Sequence, residues 1–274
     1  MSISLYEVGL RDGLQNHHQI IPTDTKLELI SLLAECGINN AEIASFVHPK
    51  RVPAMADADL LFKELDGNYA GLIPNQKGFD RAIKAGCENF NIFFSPSNSF
   101  NEKNVGVRDF RTLLQNYELM LADVHPSKVR VYISTAFGCP LEGEISQPML
   151  DVCIQEALDL GSTIVLCDTV GKATPDSVKL LSRLATSYTD NIAMHFHHGG
   201  VTSPHILENV AMAYENGVSE FDCSLGGLGG CNFIPESGGN LATEVLLDWA
   251  CTQDIDTGIF DLDPALHFMH KFVI

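Results

Sequence analysis

The sequence predicts one (β/α)₈ barrel, an α/β fold, that occupies the whole chain, residues 1–274. A single unit recurs along it: a helical stretch ends at a glycine, and a short apolar run follows. Strands that alternate with helices in this way imply a parallel sheet. About eight such units fit into roughly 250 residues, which favours a closed TIM barrel over an open doubly wound sheet. The first loop also lacks a G-x-G-x-x-G pattern, so a dinucleotide-binding fold is not indicated.

Glycines mark the ends of most of the predicted helices. Gly37, Gly86, Gly161 and Gly217 each stand where a helical stretch stops, the position at which a left-handed residue closes a helix. Pro175 lies in the first turn of another helix, where a missing N–H is tolerated. The predicted helices span 23–36, 77–85, 147–160, 175–187 and 204–216. The predicted strands span 3–8, 41–44, 69–73, 90–94, 129–135, 163–167, 192–196 and 220–223.

Charge and composition exclude several classes of protein. The formal net charge of −18 argues against nucleic acid and anionic membrane surfaces as partners. No apolar run approaches the roughly 18 residues that a membrane span needs. The eight cysteines are scattered singly, with no Cys-x-x-Cys pair, which favours reduced thiols. Met1 leads straight into the first strand without a recognisable targeting segment, so we expect a cytoplasmic protein.

An arginine and an aspartate stand side by side where the first strand ends. Arg11 and Asp12 lie in the sequence EVGLRDGLQN, residues 7–16. Charged side chains are poor material for a core, whereas ligands gather at the carboxyl ends of strands in α/β scaffolds. Two interpretations stay open for these residues alone: a surface ion pair in a turn, or part of an active site.

A His-x-His motif closes the seventh predicted strand. His195 and His197 are two residues apart, so both imidazoles point to one face of the strand. Alone, they are better explained by packing or a surface position than by a metal. Asp12 changes this balance, because in a closed barrel the first strand lies beside the eighth, and the seventh is one further on. With an amide oxygen from Asn240, this mixed nitrogen and oxygen set suits a divalent cation, and we favour Mg²⁺ or Mn²⁺.

Three further residues are candidates for chemistry. Glu42 lies in the apolar run of the second strand, where a carboxylate needs a partner; that partner is Arg11, unless Glu42 faces outward. Cys231 follows the glycine-rich segment 226–230, which can move as a lid; its thiol is an acid or base or a small packed residue. Asp168 ends the sixth strand and either orients a ligand or caps a helix.

Six segments together resemble the 3-hydroxy-3-methylglutaryl-CoA lyase family, within the metal-dependent lyase and Claisen-condensation barrel superfamily. The resemblance runs from the first strand to about Thr243, with the motifs in the family's order and spacing. The segments are EVGLRDGLQN (7–16), SFVHPK with VP (45–50, 52–53), FGCP with EG and IS (137–140, 142–143, 145–146), DTVG with TP (168–171, 174–175), GLGGC (227–231) and GNLATE (239–244).

This resemblance implies a reaction, a cofactor and a site. The reaction is divalent-metal-dependent cleavage of a 3-hydroxy-3-methylglutaryl-CoA-type thioester to acetyl-CoA and acetoacetate or an analogous keto acid. Arg11 should stabilise the enolate oxygen of the departing acetyl-CoA, Glu42 should hold Arg11, and Cys231 should act as a general acid or base. His195 also counts among the catalytic residues. The implied ligands of Mg²⁺ or Mn²⁺ are Asp12, His195, His197 and Asn240.

Two further expectations follow. Arg11 and Asp12 should face different halves of the reaction rather than pair with each other. The partners should be a small-molecule acyl-CoA and a second copy of the chain in a homodimer, with no nucleic acid and no membrane.

The chain departs from the family's usual pattern in two places. Where the family continues Asp-Thr-Tyr-Gly after His-x-His, this chain has His198-Gly199-Gly200. Where the family has Pro-Tyr after Gly-Gly-Cys, this chain has Asn232-Phe233. These differences leave the acyl group open. The alternatives are an acetyl-CoA-dependent Claisen or aldol-type synthase, which the Gly-Gly-Cys loop disfavours, a lyase for a related 3-hydroxyacyl-CoA, and a barrel that binds a ligand without turnover.

Overall fold

Eight strands form the centre of the molecule, in the order that the sequence predicts. The computed structural model describes residues 2–198, 205–230 and 238–273. The strands are β1 (Ser4–Glu7), β2 (Ala41–Ser45), β3 (Tyr69–Leu72), β4 (Asn89–Phe94), β5 (Val129–Ile133), β6 (Thr163–Asp168), β7 (Ile192–Phe196) and β8 (Glu220–Cys223). Each pairs in parallel with its neighbours in chain order, and β1 also pairs with β8, which closes the ring. The predicted barrel is therefore confirmed.

Helices connect the strands and cover the outside of the barrel. They are α1 (Thr23–Glu35), α2 (Ala58–Glu64), α3 (Gln76–Ala85), α4 (Asn98–Val105), α5 (Phe110–Met120), α6 (Gln147–Leu158), α7 (Pro175–Thr186), α8 (Ile206–Glu215), α9 (Thr243–Thr252) and α10 (Asp263–Phe272). The five predicted helices correspond to α1, α3, α6, α7 and α8. Within the described ranges, none of the helices has the length and apolar character needed to cross a membrane.

The end of α1 shows how the sequence sets a helix boundary. Gly37 adopts a φ of 97°, in the left-handed region. Its N–H donates to the carbonyl of Ala34 at 3.0 Å, and the N–H of Ile38 donates to that of Leu33 at 2.9 Å. These bonds satisfy carbonyls that the helix end would otherwise leave unpaired. Leu33 is itself buried in the core, so the helix stops where its apolar face is already packed.

The barrel has an apolar layer outside the strands and a largely polar interior. Outside, a continuous core joins the strands to the helices. Inside, a small apolar cluster is accompanied by buried charged and amide side chains. Buried polar groups are expected to be hydrogen-bonded, so the pairing of these groups separates structural contacts from a site. The buried polar strand residues that matter below are Glu42, Asn91, Arg130, His195 and Asp222.

Candidate metal centre and active site

Arg11 and Asp12 lie on a single turn of π-helix, Gly9–Gly13, that follows β1. The carbonyl of Val8 accepts the N–H groups of both Arg11, at 3.1 Å, and Asp12, at 2.7 Å. Single π-helical turns are frequent at functional sites. This turn holds both side chains at the C-terminal mouth of the barrel, the end at which enzymes of this fold carry their active sites.

Arg11 is a buried cation with two carboxylate partners. Its Nε donates to Oε2 of Glu42, and its Nη1 donates to Oδ1 of Asp12 at 2.6 Å. Glu42 is completely buried, and its Oε1 accepts from Nδ2 of Asn91 at 2.9 Å. The predicted pair of Arg11 and Glu42 is confirmed. The expectation that Arg11 and Asp12 do not pair is wrong: they form an ion pair inside the mouth, because one tight turn keeps the guanidinium beside the adjacent carboxylate.

The two histidines present the same nitrogen to the mouth. His195 Nδ1 lies 3.0 Å from Oδ2 of Asp222, and His197 Nδ1 lies 3.1 Å from the carbonyl of Thr169. Both partners are acceptors, which assigns a hydrogen to each Nδ1; in the neutral imidazole, each Nε2 then carries a lone pair. Metal-binding histidines are held in this way by a partner on the second nitrogen. The rings contact each other nearly at right angles, with centroids 4.8 Å apart.

Asn240 lies beside Asp12 and has a carbonyl oxygen without a hydrogen-bond partner among the described residues. Its Nδ2 donates to Oδ2 of Asp12 and to the carbonyl of Leu228, both at 2.8 Å. Because both neighbours are acceptors, the amide cannot be reversed without facing oxygen against oxygen. Asn240 Oδ1 and His197 Nε2 are buried, and neither has a hydrogen-bond partner among the described residues. Two buried acceptors are thus left without a donor, which is costly unless a cation or another ligand satisfies them.

The residues at the mouth fit a divalent cation. One ligand atom from each of Asp12, His195 and His197 lies within 4.8 Å of the others. Burial opposes ionisation of Asp12, but the adjacent Arg11 guanidinium holds the pKa of its carboxyl well below the usual range. The set combines one anionic oxygen, two imidazole lone pairs and a nearby amide oxygen, which is the donor chemistry of a divalent metal site.

These groups line a cavity of about 160 Å³. Arg11 borders it together with Asp12, His195 and His197, so the guanidinium and the candidate ligands face one volume. Phe93 and Phe100 form part of its apolar wall. The cavity therefore joins a charged end, suited to reacting oxygen atoms, to an apolar side suited to an acyl group.

Two other residues were predicted from the sequence to take part in the site, Asp168 and Cys231. Asp168 accepts the backbone N–H groups of Lys172, at 2.7 Å, and Ala173, at 2.8 Å, so it anchors the loop that leads to α7. Thr174 is the residue that caps that helix. Cys231 lies outside the described residues, as do residues 199–200 and 232–233 of the two sequence departures. Gly230, directly before Cys231, lines the cavity.

Two residues that the sequence did not predict support the site. Asp222 of β8 contacts His195, and Arg130 of β5 contacts Asp222. The signal that identified Glu42, an ionisable residue within a short buried strand, applies equally to Asp222 and Arg130.

Fold and site together define a barrel enzyme with a candidate metal centre at its C-terminal mouth. The profile of the HMGL-like family matches residues 2–263. Hydroxymethylglutaryl-CoA lyase YngG of Bacillus subtilis (strain 168) is 37% identical over 269 residues, which cover 94% of this chain and 88% of that protein. The mitochondrial hydroxymethylglutaryl-CoA lyase of Rattus norvegicus is 37% identical over 266 residues, covering 94% of this chain and 81% of that protein.

A solved structure agrees with these sequence matches. An HMG-CoA lyase from Acinetobacter baumannii, in complex with coenzyme A and 3-methylmalate, superposes with a TM-score of 0.88 at 35% identity. The match covers 97% of this chain and 88% of that one. The chain belongs to the hydroxymethylglutaryl-CoA lyase family and is a carbon–carbon lyase.

Proposed function

We propose that this enzyme cleaves 3-hydroxy-3-methylglutaryl-CoA, or a close analogue, to acetyl-CoA and acetoacetate or the corresponding keto acid. The observation that carries the proposal is the cluster of Asp12, His195 and His197, which lines one cavity with Arg11. Two buried acceptors without a hydrogen-bond partner among the described residues, His197 Nε2 and Asn240 Oδ1, belong to this cluster and to the amide that contacts Asp12. Its lyase relatives supply the substrate class, and the Acinetobacter enzyme, solved with coenzyme A, supports a thioester substrate.

The cofactor in this proposal is Mg²⁺ or Mn²⁺. The ligands are Asp12, His195, His197 and Asn240, which offer two oxygens, two imidazole nitrogens and no thiolate, a set that suits these cations. When bound, the cation supplies Lewis-acid polarisation of the substrate hydroxyl, which makes loss of its proton easier.

Arg11 has the second task, at the thioester end of the substrate. Cleavage leaves an enolate on the departing acetyl-CoA, and a positioned cation stabilises the developing charge on its oxygen. Glu42 fixes the Nε side of the guanidinium, while Asn91 fixes Glu42.

Cys231 has the third task, proton transfer to the enolate carbon. It stands directly after Gly230, which borders the cavity. A thiol on a glycine-flanked loop can approach the substrate when the loop closes and withdraw for product release. The homodimer and the cytoplasmic location stay predictions.

The test is turnover of 3-hydroxy-3-methylglutaryl-CoA by the purified enzyme with Mn²⁺ or Mg²⁺, against a sample treated with chelator. We expect acetyl-CoA and the keto acid to appear in equal amounts, and only with metal. Arg11→Lys should lower kcat by roughly 10²-fold or more, because a single ammonium cannot replace the fork that contacts Glu42 and Asp12. Arg111→Lys, on the exposed surface of α5, is the matched control. Release of no acetyl-CoA from any 3-hydroxyacyl-CoA would contradict the proposal.

A further inference from the structure

Arg130 crosses the barrel interior from β5 to β8, below the candidate metal centre. It is 7% exposed. Its Nη2 donates to Oδ1 of Asp222 at 2.5 Å, and its Nη1 donates to Oε1 of Glu220. The guanidinium lies over the ring of Tyr6, 4.1 Å from the centroid. A planar fork held by two carboxylates and an aromatic face has little freedom to turn.

Asp222 is held from both sides. While Oδ1 accepts from Arg130, Oδ2 lies 3.0 Å from Nδ1 of His195. Asp222 is buried, with its side chain completely inaccessible. With one oxygen fixed by Arg130, the other is aimed at the imidazole, and rotation of the carboxylate would break a charge-assisted hydrogen bond.

We infer that Arg130 is a positioning residue for His195: it fixes the Asp222 carboxylate so that Nδ1 of His195 carries the hydrogen and Nε2 keeps its lone pair toward the mouth. The inference rests on the proposed function in treating His195 as a metal ligand. It extends the site by two residues, into the centre of the barrel, and gives the β5 arginine a role in metal affinity rather than in packing alone. Partners of metal-binding histidines typically contribute roughly 10- to 100-fold to affinity.

The substitution Asp222→Asn separates this role from simple packing, because its effect depends on Arg130. An asparagine beside Arg130 must turn its oxygen toward the guanidinium, so its NH₂ faces Nδ1 of His195. The imidazole hydrogen must then move to Nε2, where it blocks metal binding. In the double variant Arg130→Met with Asp222→Asn, nothing orients the amide, and its oxygen can again accept from Nδ1.

The experiment measures Mn²⁺ affinity by equilibrium dialysis and the tautomer of His195 by ¹⁵N NMR of the metal-free protein. We expect Asp222→Asn to weaken Mn²⁺ binding by roughly 100-fold and to place the hydrogen on Nε2. The double variant should recover at least roughly tenfold of that loss and return the hydrogen to Nδ1. Glu220→Gln is the matched control, since it neutralises the second carboxylate partner of Arg130 without changing Asp222, and its Mn²⁺ affinity should stay within about twofold of wild type.

A double variant that binds Mn²⁺ no better than Asp222→Asn, with the same tautomer, would overturn the inference. Arg130→Lys provides a second test if the double variant does not fold. Its ammonium is a point charge that lacks the planar fork needed to fix the rotation of the Asp222 carboxylate, so affinity should fall roughly tenfold, and unchanged affinity would also overturn the inference. If the wild-type protein binds no Mn²⁺, the proposed function fails, while the tautomers of the metal-free proteins still decide the role of Arg130.

Discussion

The barrel has a cavity at each end, with a volume of about 160 Å³ at the C-terminal end and about 180 Å³ at the N-terminal end. The two cavities are similar in size, but the polar side chains around them differ in whether they have hydrogen-bond partners. At the N-terminal end, Arg130 contacts Glu220, and Tyr6 contacts Asn91. At the C-terminal end, His197 Nε2 and Asn240 Oδ1 are buried without a hydrogen-bond partner among the described residues.

This difference shows that a buried polar cavity does not by itself indicate a ligand site. At the N-terminal end, donors meet acceptors, so the charges stabilise one another and the fold. Of the described residues that contact the Asp12 carboxylate at the C-terminal end, His197 and Asn240 each have an unpaired acceptor atom. Acceptors without donors are completed by a cation, so the pairing pattern, rather than volume, distinguishes the site.

The largest expected effect comes from removing an unpaired acceptor. His197→Ala should abolish tight Mn²⁺ binding and lower kcat by roughly 10³-fold, because metal polarisation contributes several kcal/mol to transition-state stabilisation. Metal content by mass spectrometry and steady-state kinetics measure both effects. His205→Ala is the control, since His205 is partly exposed and its Nδ1 lies 2.7 Å from Oε2 of Glu208, three residues further along the chain. Unchanged metal stoichiometry in His197→Ala would remove it from the ligand set.

A smaller effect should follow from displacing a ligand without removing it. Gly229 has a φ of 118°, and a Cβ added there would lie 2.3 Å from Nδ2 of Asn240. Gly229→Ala should therefore push the Asn240 amide from its place and lower kcat by roughly 10²-fold, as misplacement of about 1 Å can do. Gly258→Ala is the matched control: its φ is 64°, but an added Cβ meets nothing within 4 Å. Equal kinetics for the two variants would show that the position of Asn240 does not matter.

Glu7 gives a pH-dependent test of how the C-terminal end is supported. Its Oε1 accepts the N–H groups of Gly9, at 2.8 Å, and Leu225, at 3.0 Å, and its Oε2 accepts from Thr243 Oγ1 at 2.7 Å. Burial, aided by nearby Glu244, outweighs these hydrogen bonds and raises the pKa of Glu7 from 4.5 to about 7. The folded state thus holds this proton more tightly than the unfolded state does.

The raised pKa of Glu7 makes the stability of the folded protein depend on pH. Between pH 4.5 and about 7, the unfolded chain has already ionised at Glu7 while the folded protein has not, so stability falls as pH rises. The full contribution is on the order of 3 kcal/mol. Glu7→Gln should remove this part of the pH dependence, as measured by urea unfolding at pH 5 and pH 8. Glu28→Gln, on the exposed side of α1, should keep it, and a wild-type slope in Glu7→Gln would refute the assignment.

The smallest effect is expected at the N-terminal end. Asn91 Nδ2 donates to the hydroxyl of Tyr6 at 3.1 Å. Tyr6→Phe removes this bond but keeps the ring under Arg130, so it should cost about 1 kcal/mol of stability and leave Mn²⁺ affinity unchanged. Thermal unfolding and dialysis measure the two quantities. A large loss of metal affinity would show that the hydroxyl, and not only the ring, supports the centre above it.

Local sequence patterns were sufficient to predict most of the strands and several of the helices. The predicted strands agree with the observed ones within two residues at each end, because apolar runs bounded by glycine and polar residues leave little choice of boundary. The helices that escaped prediction include α4, Asn98–Val105, whose sequence NSFNEKNV offers almost no apolar periodicity. Its existence depends on Ser97, which caps its first turn, and on Phe100, which is buried.

The sequence by itself determined the barrel, the strand ends that carry Arg11, Asp12, His195 and His197, and the pairing of Arg11 with Glu42. Only the tertiary structure decided that Arg11 also pairs with Asp12, which histidine nitrogen faces the mouth, and that Asp222 and Arg130 stand behind His195. The reason is physical: periodicity records which face of a strand is buried. The partner that a buried group meets across the interior is set by the closure of the ring, which no local pattern contains.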